Sequence, residues 1–430
     1  MRNKSYLVPL LGFVLISIIG AVVLCLPICN KAEITFHEAF YASVSTVTGT
    51  ALLKTPIVEQ FSVIGQIVIL MLMEVGALGF IVFISYFWAK RNKKMKMSDI
   101  IMVNDNTGGD NNYNTIKEHS MFVFNLVLRV QIIGAVLLGI RFIPEFGLIK
   151  GIWYGIFHSI SAFTNVGYDI IGTSSLYNYK SDIYLQIVLM ILMLLGSIGI
   201  FAIEDLKKHK FKSFNKLRLQ TKIILVYSLI FTLVPAILLK IFEPQMSILN
   251  SLFMALTARS AGFTLINLES FSIASKLLLI VVMFIGGSPA STAGGMRVIV
   301  PAIIFSTVIS TLRGRENTVM FWKKIPNIVV RKAFAIFIIF LMLSILASML
   351  LAYCNKEVTL LEVIFETVSA LTNAGLAVAE TTSVNAIGDW LLLILMFIGR
   401  IGPIAMVMAF VHDEPVDKLV DYPTENVMLY

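Results

Sequence analysis

The chain has 430 residues, 57% of them hydrophobic and only 14% charged, with a mean hydropathy of +0.86 and a formal net charge of +8. So apolar a composition cannot hide its surface as a soluble protein does, so lipid is its expected solvent. The excess of Lys and Arg does not interleave with aromatic residues as a nucleic-acid groove requires, which sets nucleic acid aside as a partner.

Arg2 and Lys4 precede the first long apolar run, at 7–26. No small-residue cleavage site follows it, so it reads as a spanning helix and not as a signal peptide. Seven more runs near the roughly 20 residues that cross the hydrocarbon core lie at 61–87, 122–140, 183–203, 223–241, 277–309, 333–351 and 391–410. Lys90, Arg91, Lys93, Lys94 and Lys96 follow the second run; Lys207, Lys208, Lys210, Lys212, Lys216 and Arg218 the fourth; Arg313, Arg315, Lys323, Lys324, Arg331 and Lys332 the sixth. By the positive-inside rule these connections are cytoplasmic, and both termini with them. Cys25, Cys29 and Cys354 form neither a metal spacing nor an even disulfide set and read as packing residues.

The opposite connections carry acids, among them Glu33, Glu38, Glu59, Glu145, Asp169, Glu243, Glu269, Glu362, Glu366 and Glu380. Each also holds an apolar segment too short to span, at 38–44, 152–162, 247–256 and 360–370, read here as a half-helix entering from outside. A polar glycine turn follows each: VSTVTGT, SAFTNVGY, TARSAGF and SALTNAGL, aligned on Gly49, Gly167, Gly262 and Gly375. After each turn comes a Met-x-x-Gly run, from Met73 to Gly76, Met193 to Gly196, Met283 to Gly286 and Met396 to Gly399, whose glycines suit close helix packing. A single such turn reads as an ordinary link between helices. Four in register instead predict an all-α polytopic membrane protein of eight spanning helices, with four helix–pore-loop–helix repeats in one chain around a pseudo-fourfold pore. Repeat 1 occupies 1–98, repeat 2 119–206, repeat 3 219–315 and repeat 4 328–412, and a cytoplasmic tail covers 413–430.

Non-helical backbone at membrane depth is tolerated where it lines a polar cavity. Four extended loops around one axis would present carbonyls able to replace the hydration shell of an alkali cation, with half-helix C-termini adding a favourable dipole. The expected filter is Thr46, Val47, Thr48 and Gly49; Thr164, Asn165, Val166 and Gly167; Arg259, Ser260, Ala261 and Gly262; and Thr372, Asn373, Ala374 and Gly375. Arg259 is a cation in a cation path, so it is expected to turn away and brace its loop through hydrogen bonds.

The sixth run is broken by GGSPASTAGGM, within 285–297. Four glycines and a proline interrupt the backbone ladder there. Gly286, Gly287, Ser288, Pro289, Ser291, Thr292, Gly294 and Gly295 are the expected gate, the competing reading being a kinked packing helix; a phosphate-binding loop would need a lysine and a strand that are missing. Arg400 lies deep in the last run, where a charge needs a polar partner that this segment can offer, although a structural salt bridge is the other reading. Glu74 is the matching acid in the second run.

SAFTNVGYD at 161–169, TARSAGF at 257–263, MFIGGSPASTAGGMR at 283–297 and LLLILMFIGRIGP at 391–403 resemble the membrane subunit of a Ktr-type potassium transporter, of the Trk/Ktr/HKT superfamily, along nearly the whole chain. The resemblance implies potassium uptake, with sodium stimulation and no organic cofactor, through one loop per repeat. It also implies a homodimer and a cytosolic nucleotide-binding partner, for which the basic loops and the acidic tail from Asp413 to Asp421 are the available surface. It further implies that the first-loop glycine, taken as Gly49, favours potassium over sodium, that 285–297 is an intramembrane gating loop, and that Arg400 acts in gating. Lys54 at the outer mouth and Asn373 depart from the pattern, and the loops match only approximately, so a less selective sodium/potassium transporter is the alternative. A two-repeat secondary transporter would instead show paired carboxylates. A membrane-embedded enzyme would need clustered groups, whereas His37, His119, His158, His209 and His412 are scattered.

Overall fold

The computed structural model describes residues 2–78, 113–172, 176–209, 214–355, 358–378 and 385–402, with side chains from Leu10 in the first helix and from Met121 in the helix that begins at Tyr113. The expected basic run 90–96, Lys210, Lys212, Glu380, His412 and the tail lie outside the described residues.

In chain order the helices are α1 (Arg2–Leu24), α2 (Phe36–Thr48), α3 (Ile57–Gln60), α4 (Val63–Leu78), α5 (Tyr113–Phe146), α6 (Leu148–Phe163), α7 (Ile183–Ile198), α8 (Ile200–Lys208), α9 (Leu219–Phe242), α10 (Ile248–Thr257), α11 (Ile273–Ile285), α12 (Ile299–Leu312), α13 (Asn327–Cys354), α14 (Leu360–Thr372) and α15 (Ala386–Ile401). A two-stranded hairpin, Val319–Met320 with Lys323–Lys324, joins α12 to α13.

Among the described residues, three helices are each long and apolar enough to cross a bilayer, over Met121–Phe146, Leu219–Phe242 and Asn327–Cys354. The fourth run is not one straight helix: α7 and α8 meet at 91° across Gly199. The sixth run is also divided, with α11 stopping at Ile285 and α12 starting at Ile299. Exposed apolar stripes run along the long helices, such as Ile132, Val136 and Ile140 on α5 and Ile338, Met342, Ile345 and Met349 on α13. Water would penalise such stripes, and a bilayer removes that cost.

Of the four short helices, α2, α10 and α14 begin with side-chain signals, whereas α6 follows Gly147, which supplies none. Thr35 and Glu38 form a capping box on α2, Thr359 and Glu362 one on α14, and Ser247 caps α10 by accepting the Asn250 N–H at 3.1 Å. Each short helix packs on its chain neighbours, α2 against α1 and α4, α6 against α5 and α7, α10 against α9, and α14 against α13 and α15. Gly76, Gly196 and Gly399 make that packing close: a Cβ there would lie 2.1, 2.0 and 2.1 Å from the carbonyl oxygens of Val47, Phe163 and Leu371. Gly286 is different, for it ends α11 with φ +65°. The three cysteines are unpaired, with Cys29 buried.

Candidate functional site: four loop ends and the segment between α11 and α12

The last turn of each short helix sets the register of the loop that follows. On α2 the Thr50 N–H closes on the Ser45 carbonyl at 2.9 Å, on α6 Val166 on Ser161 at 3.1 Å, and on α14 Ala374 on Ser369 at 2.9 Å. The threonine hydroxyls agree, Thr48 donating to Val44 O at 2.8 Å, Thr164 to Ile160 O at 2.8 Å and Thr372 to Val368 O at 2.7 Å. Those hydroxyls are engaged by their own helices, and so is that of Thr46, which donates to Ala42 O at 2.7 Å.

In this register the first loop is offset by two residues from the alignment on glycine. Gly49 (φ 74°) stands where Asn165 (φ 54°) and Asn373 (φ 52°) stand, as the left-handed residue that ends the helix. Two residues on, the positive-φ position is Gly167 (88°), Gly262 (76°) and Gly375 (77°) in three loops, but Ala51 (58°) in the first. The third loop shows the same pair, with Ser260 (77°) preceding Gly262. The physical difference between the two positions is space. A Cβ on Gly49 would meet nothing nearer than 3.8 Å, whereas one on Gly167, Gly262 or Gly375 would strike the carbonyl oxygen of Ala261, Val166 or Thr50 at 2.2, 2.5 or 2.3 Å. Those contacts are between different loops, so the four loop ends meet.

Side chains lock the meeting point. Ser260 donates to the Asn373 carbonyl at 2.7 Å, and the Asn373 amide donates to Thr50 Oγ1 at 2.8 Å and Met396 O at 3.0 Å. Tyr168, buried, lies 3.2 Å from Ser45 Oγ and 3.3 Å from Thr46 Oγ1, joining the first two loops. Arg259 is 2% exposed and turned into the protein, donating to Ser228 O at 2.9 Å, Ser228 Oγ at 3.0 Å, Thr232 Oγ1 at 2.7 Å and Gly286 O at 3.2 Å. Its expected bracing role matches these bonds. Lys54, read from sequence as a departure from the pattern at the outer mouth, pairs with the buried carboxylate of Asp389, beside which His37 lies at 4.0 Å.

The segment between α11 and α12 touches three of these parts. Ser288 N–H donates to Ser197 O at 3.0 Å and Thr292 N–H to Gly196 O at 3.3 Å, while Gly294 N–H donates to Ser260 Oγ at 2.8 Å. The Thr292 hydroxyl donates to Phe163 O at 3.0 Å and lies 2.7 Å from the Asn165 amide. Arg400 donates to Thr292 O at 2.6 Å and to the Gly76 carbonyl. Its partners are therefore two backbone carbonyls, one of them from the segment, while the Ser291 hydroxyl donates to Ser288 O at 2.6 Å. Glu74 accepts from the Gln131 amide, a hydrogen bond between helices α4 and α5.

Sequence reasoning missed Ala51, Tyr168, Gln131 and Asp389. Asp389 and Ala51 had readable signals, an acid opening an apolar run and a small residue two past a left-handed cap. Tyr168 and Gln131 carried none.

Comparison with known proteins bears on this arrangement as a whole. A family model described as a cation transport protein, TrkH, matches residues 12–422. The Ktr system potassium uptake protein B of Bacillus subtilis is 31% identical, over 97% of this chain and 95% of its own length. The potassium/sodium uptake protein NtpJ of Enterococcus hirae is 30% identical over the same shares. Among solved structures, the potassium transporter TrkH from Vibrio parahaemolyticus superposes with a TM-score of 0.78 over 96% of this chain and 85% of that one, at 17% identity, which shows a shared helical fold. The chain belongs to the TrkH family of cation transport proteins, a family of transporters and not of enzymes.

Proposed function

We propose that this chain takes potassium up across the cell membrane, through a filter made by one loop from each of four repeats. The repeats are those read from sequence, at 1–98, 119–206, 219–315 and 328–412, with eight spans and both termini cytoplasmic. The observation that carries the reading is the meeting of four loop ends at positive φ, where three residues without Cβ atoms lie against neighbouring carbonyls. At that level the carbonyls of Thr50, Val166, Ala261 and Ala374 hold equivalent places, and carbonyls so grouped substitute for the hydration shell of an alkali cation. The filter segments are 46–51, 164–167, 259–262 and 372–375.

The segment 286–297 is the gate, held by Arg400 and by Asn165, and its glycines let it move aside. Sodium is a second ion of the system, a reading supported by the relative named as a potassium/sodium uptake protein. The chain works as a homodimer in lipid, with a cytosolic nucleotide-binding subunit docked on its basic cytoplasmic loops, and needs no organic cofactor.

The test is growth at low potassium and rubidium uptake in bacterial cells lacking their own potassium uptake systems, with and without sodium and with and without a co-expressed cytosolic subunit. Native chain should restore uptake, and Gly375→Ala, whose Cβ would lie 2.3 Å from Thr50 O, should abolish it while remaining in the membrane. Undiminished uptake in Gly375→Ala would sink the filter reading.

A further inference from the structure

The connection between α12 and α13 carries a tip that the transport path does not use. Its hairpin pairs Val319 with Lys324 and Met320 with Lys323, so Phe321 and Trp322 alone make the turn. Both have positive φ, 48° and 63°. A two-residue turn of this hand favours Asn-Gly, because left-handed backbone is disfavoured for a residue with a Cβ. Two bulky aromatics in succession are held there against that preference, and such strain persists only where the surroundings impose it.

The base of the hairpin imposes it. Met320 and Ile325 are buried in the cluster that contains Ile223, Val300 and Ile303. The Ile325 N–H donates to Thr318 O at 2.9 Å, and the Thr318 hydroxyl lies 3.0 Å from that of Thr307 on α12. The Phe321 ring meets Phe214 edge to face, with 6.0 Å between centroids. Trp322 takes no part in this packing and is 99% exposed. A large apolar ring is thus held out from a rigid base.

The flanking chain indicates what covers it. Arg313, Arg315, Lys323, Lys324, Arg331 and Lys332 are all exposed, Glu316 is the one acid in 313–332, and among the described residues none of the six cations forms an ion pair. Exposed apolar side chains run up to this charge from both helices, Phe305, Val308 and Leu312 on α12 and Ile328 on α13. Leu312 is the last residue of α12 and Ile328 the second of α13, so the change from apolar to cationic surface falls at the root of the hairpin. An indole, with its apolar body and polar N–H, belongs at that level of a bilayer, and cations beside it complement lipid phosphate.

We propose that the hairpin 319–324 is a binding site for anionic phospholipid, in which Trp322 enters the headgroup layer and Arg313, Arg315, Lys323 and Lys324 take the phosphate groups. Of the basic connections, this one faces lipid, and it ties the end of α12 to the bilayer surface. The site depends on neither the filter nor the gate.

The test uses the full-length chain in detergent and in nanodiscs of phosphatidylglycerol and phosphatidylcholine. Glycine adopts φ 63° freely, so Trp322→Gly should keep or raise the melting temperature in detergent. The emission that this variant loses belongs to Trp322. In nanodiscs it should be quenched by phospholipid brominated near the headgroup and shielded from aqueous iodide. Native mass spectrometry with the two lipids in competition should show a preference for phosphatidylglycerol that falls at least about tenfold when Arg313→Gln, Arg315→Gln, Lys323→Gln and Lys324→Gln are combined. Emission quenched by iodide and not by bromolipid overturns the proposal, as does a smaller fall in that preference. A lower melting temperature in Trp322→Gly also overturns it, because the indole would then belong to the packing. A co-expressed cytosolic subunit should co-purify with Trp322→Gly as it does with native chain; its loss, with Trp322 open to iodide, would assign the hairpin to a protein partner instead.

Discussion

Replacing Gly399 by alanine tests the close packing of a short helix on the helix that follows its loop. A Cβ there would lie 2.1 Å from Leu371 O, 2.6 Å from Asn373 Oδ1 and 2.9 Å from the Leu371 carbonyl carbon. Ordinary contact begins at 3.4 Å, so α15 must retreat from the end of α14 by the difference, about 1.3 Å. Overpacking of this kind costs about 1–3 kcal/mol. The next residue adds to it, because Arg400 holds Thr292 O at 2.6 Å, and a retreat of that size stretches a charged hydrogen bond worth about 1.5–3 kcal/mol beyond its range. The helix-propensity gain of alanine over glycine offsets only about 0.5–1 kcal/mol. The net expectation is a loss of about 2–5 kcal/mol, read as a fall of several degrees in the melting temperature of detergent-solubilised protein, together with loss of rubidium uptake. Gly139→Ala is the matched control. Its Cβ would meet Ile143 Cδ1 at 4.0 Å, so the same chemical change should leave transport intact and raise stability slightly. Native-like stability and uptake in Gly399→Ala would refute the reasoning.

Lys54→Met strands the Asp389 carboxylate, which is 1% exposed, and should cost about 3 kcal/mol, the low end for a buried pair because Lys54 is partly exposed; Asp389→Asn on the same chain should restore most of the melting temperature. Arg259→Met removes four hydrogen bonds to neutral acceptors and also removes a desolvated charge, so stability should change little. Amide exchange across 286–298 should nevertheless accelerate about tenfold once Gly286 O loses its partner. Arg400→Gln weakens the hold on Thr292 O and should raise uptake in the absence of a cytosolic subunit about tenfold. Burial raises the Glu243 carboxyl, but the Ser272 N–H and Ser275 hydroxyl, both at 2.8 Å, outweigh it and hold the group below the usual carboxylate range. Its contribution is then complete above the unfolded value of about 4.3 and fades as pH falls through the lower folded value, so a stability profile of Glu243→Gln should be flatter on that acid limb.

Much of the architecture is readable in the chain because it rests on local rules. Four apolar segments too short to span appear as α2, α6, α10 and α14, and two of them announce their start through Thr-x-x-Glu boxes at 35–38 and 359–362. Pattern reading failed where register depends on contacts far apart in sequence. TVTGTAL offers its glycine two residues before the position that TNVGY and TNAGL fill, and only the Thr50-to-Ser45 hydrogen bond and the Gly375 contact with Thr50 O fix which residue takes the place equivalent to Gly167 and Gly375. Lys54 and Asp389, 335 residues apart, are likewise invisible as a pair. The bend at Gly199 had a local sign, a glycine inside an apolar run, but its cause is tertiary: a Cβ there would meet the Pro289 carbonyl at 2.6 Å, so the chain turns to make room for the segment between α11 and α12.

If the segment 286–297 is the gate proposed above, its bonds limit how transport can be controlled. Withdrawing its Thr292 end surrenders the N–H bond to Gly196 O, the hydroxyl bond to Phe163 O and the Arg400 bond to its carbonyl. Two neutral bonds at about 0.5–1.5 kcal/mol each and one charged bond at about 1.5–3 kcal/mol place the withdrawn state about 3–5 kcal/mol above the resting one. Its resting population is then below about 1%. On the gating role proposed above, a regulator that opens the path would have to bind the withdrawn state about 10²–10⁴ times more tightly than the resting one. The segment reaches α12 directly through the Val298 N–H bond to Gly287 O at 2.8 Å, and α12 leads straight to the exposed basic turn at Arg313 and Arg315. Pulling or rotating α12 is thus the shortest mechanical route from the basic turn to Thr292, whereas force applied at α9 would first meet the three hydrogen bonds that Arg259 makes to Ser228 and Thr232 and be absorbed by the third loop itself.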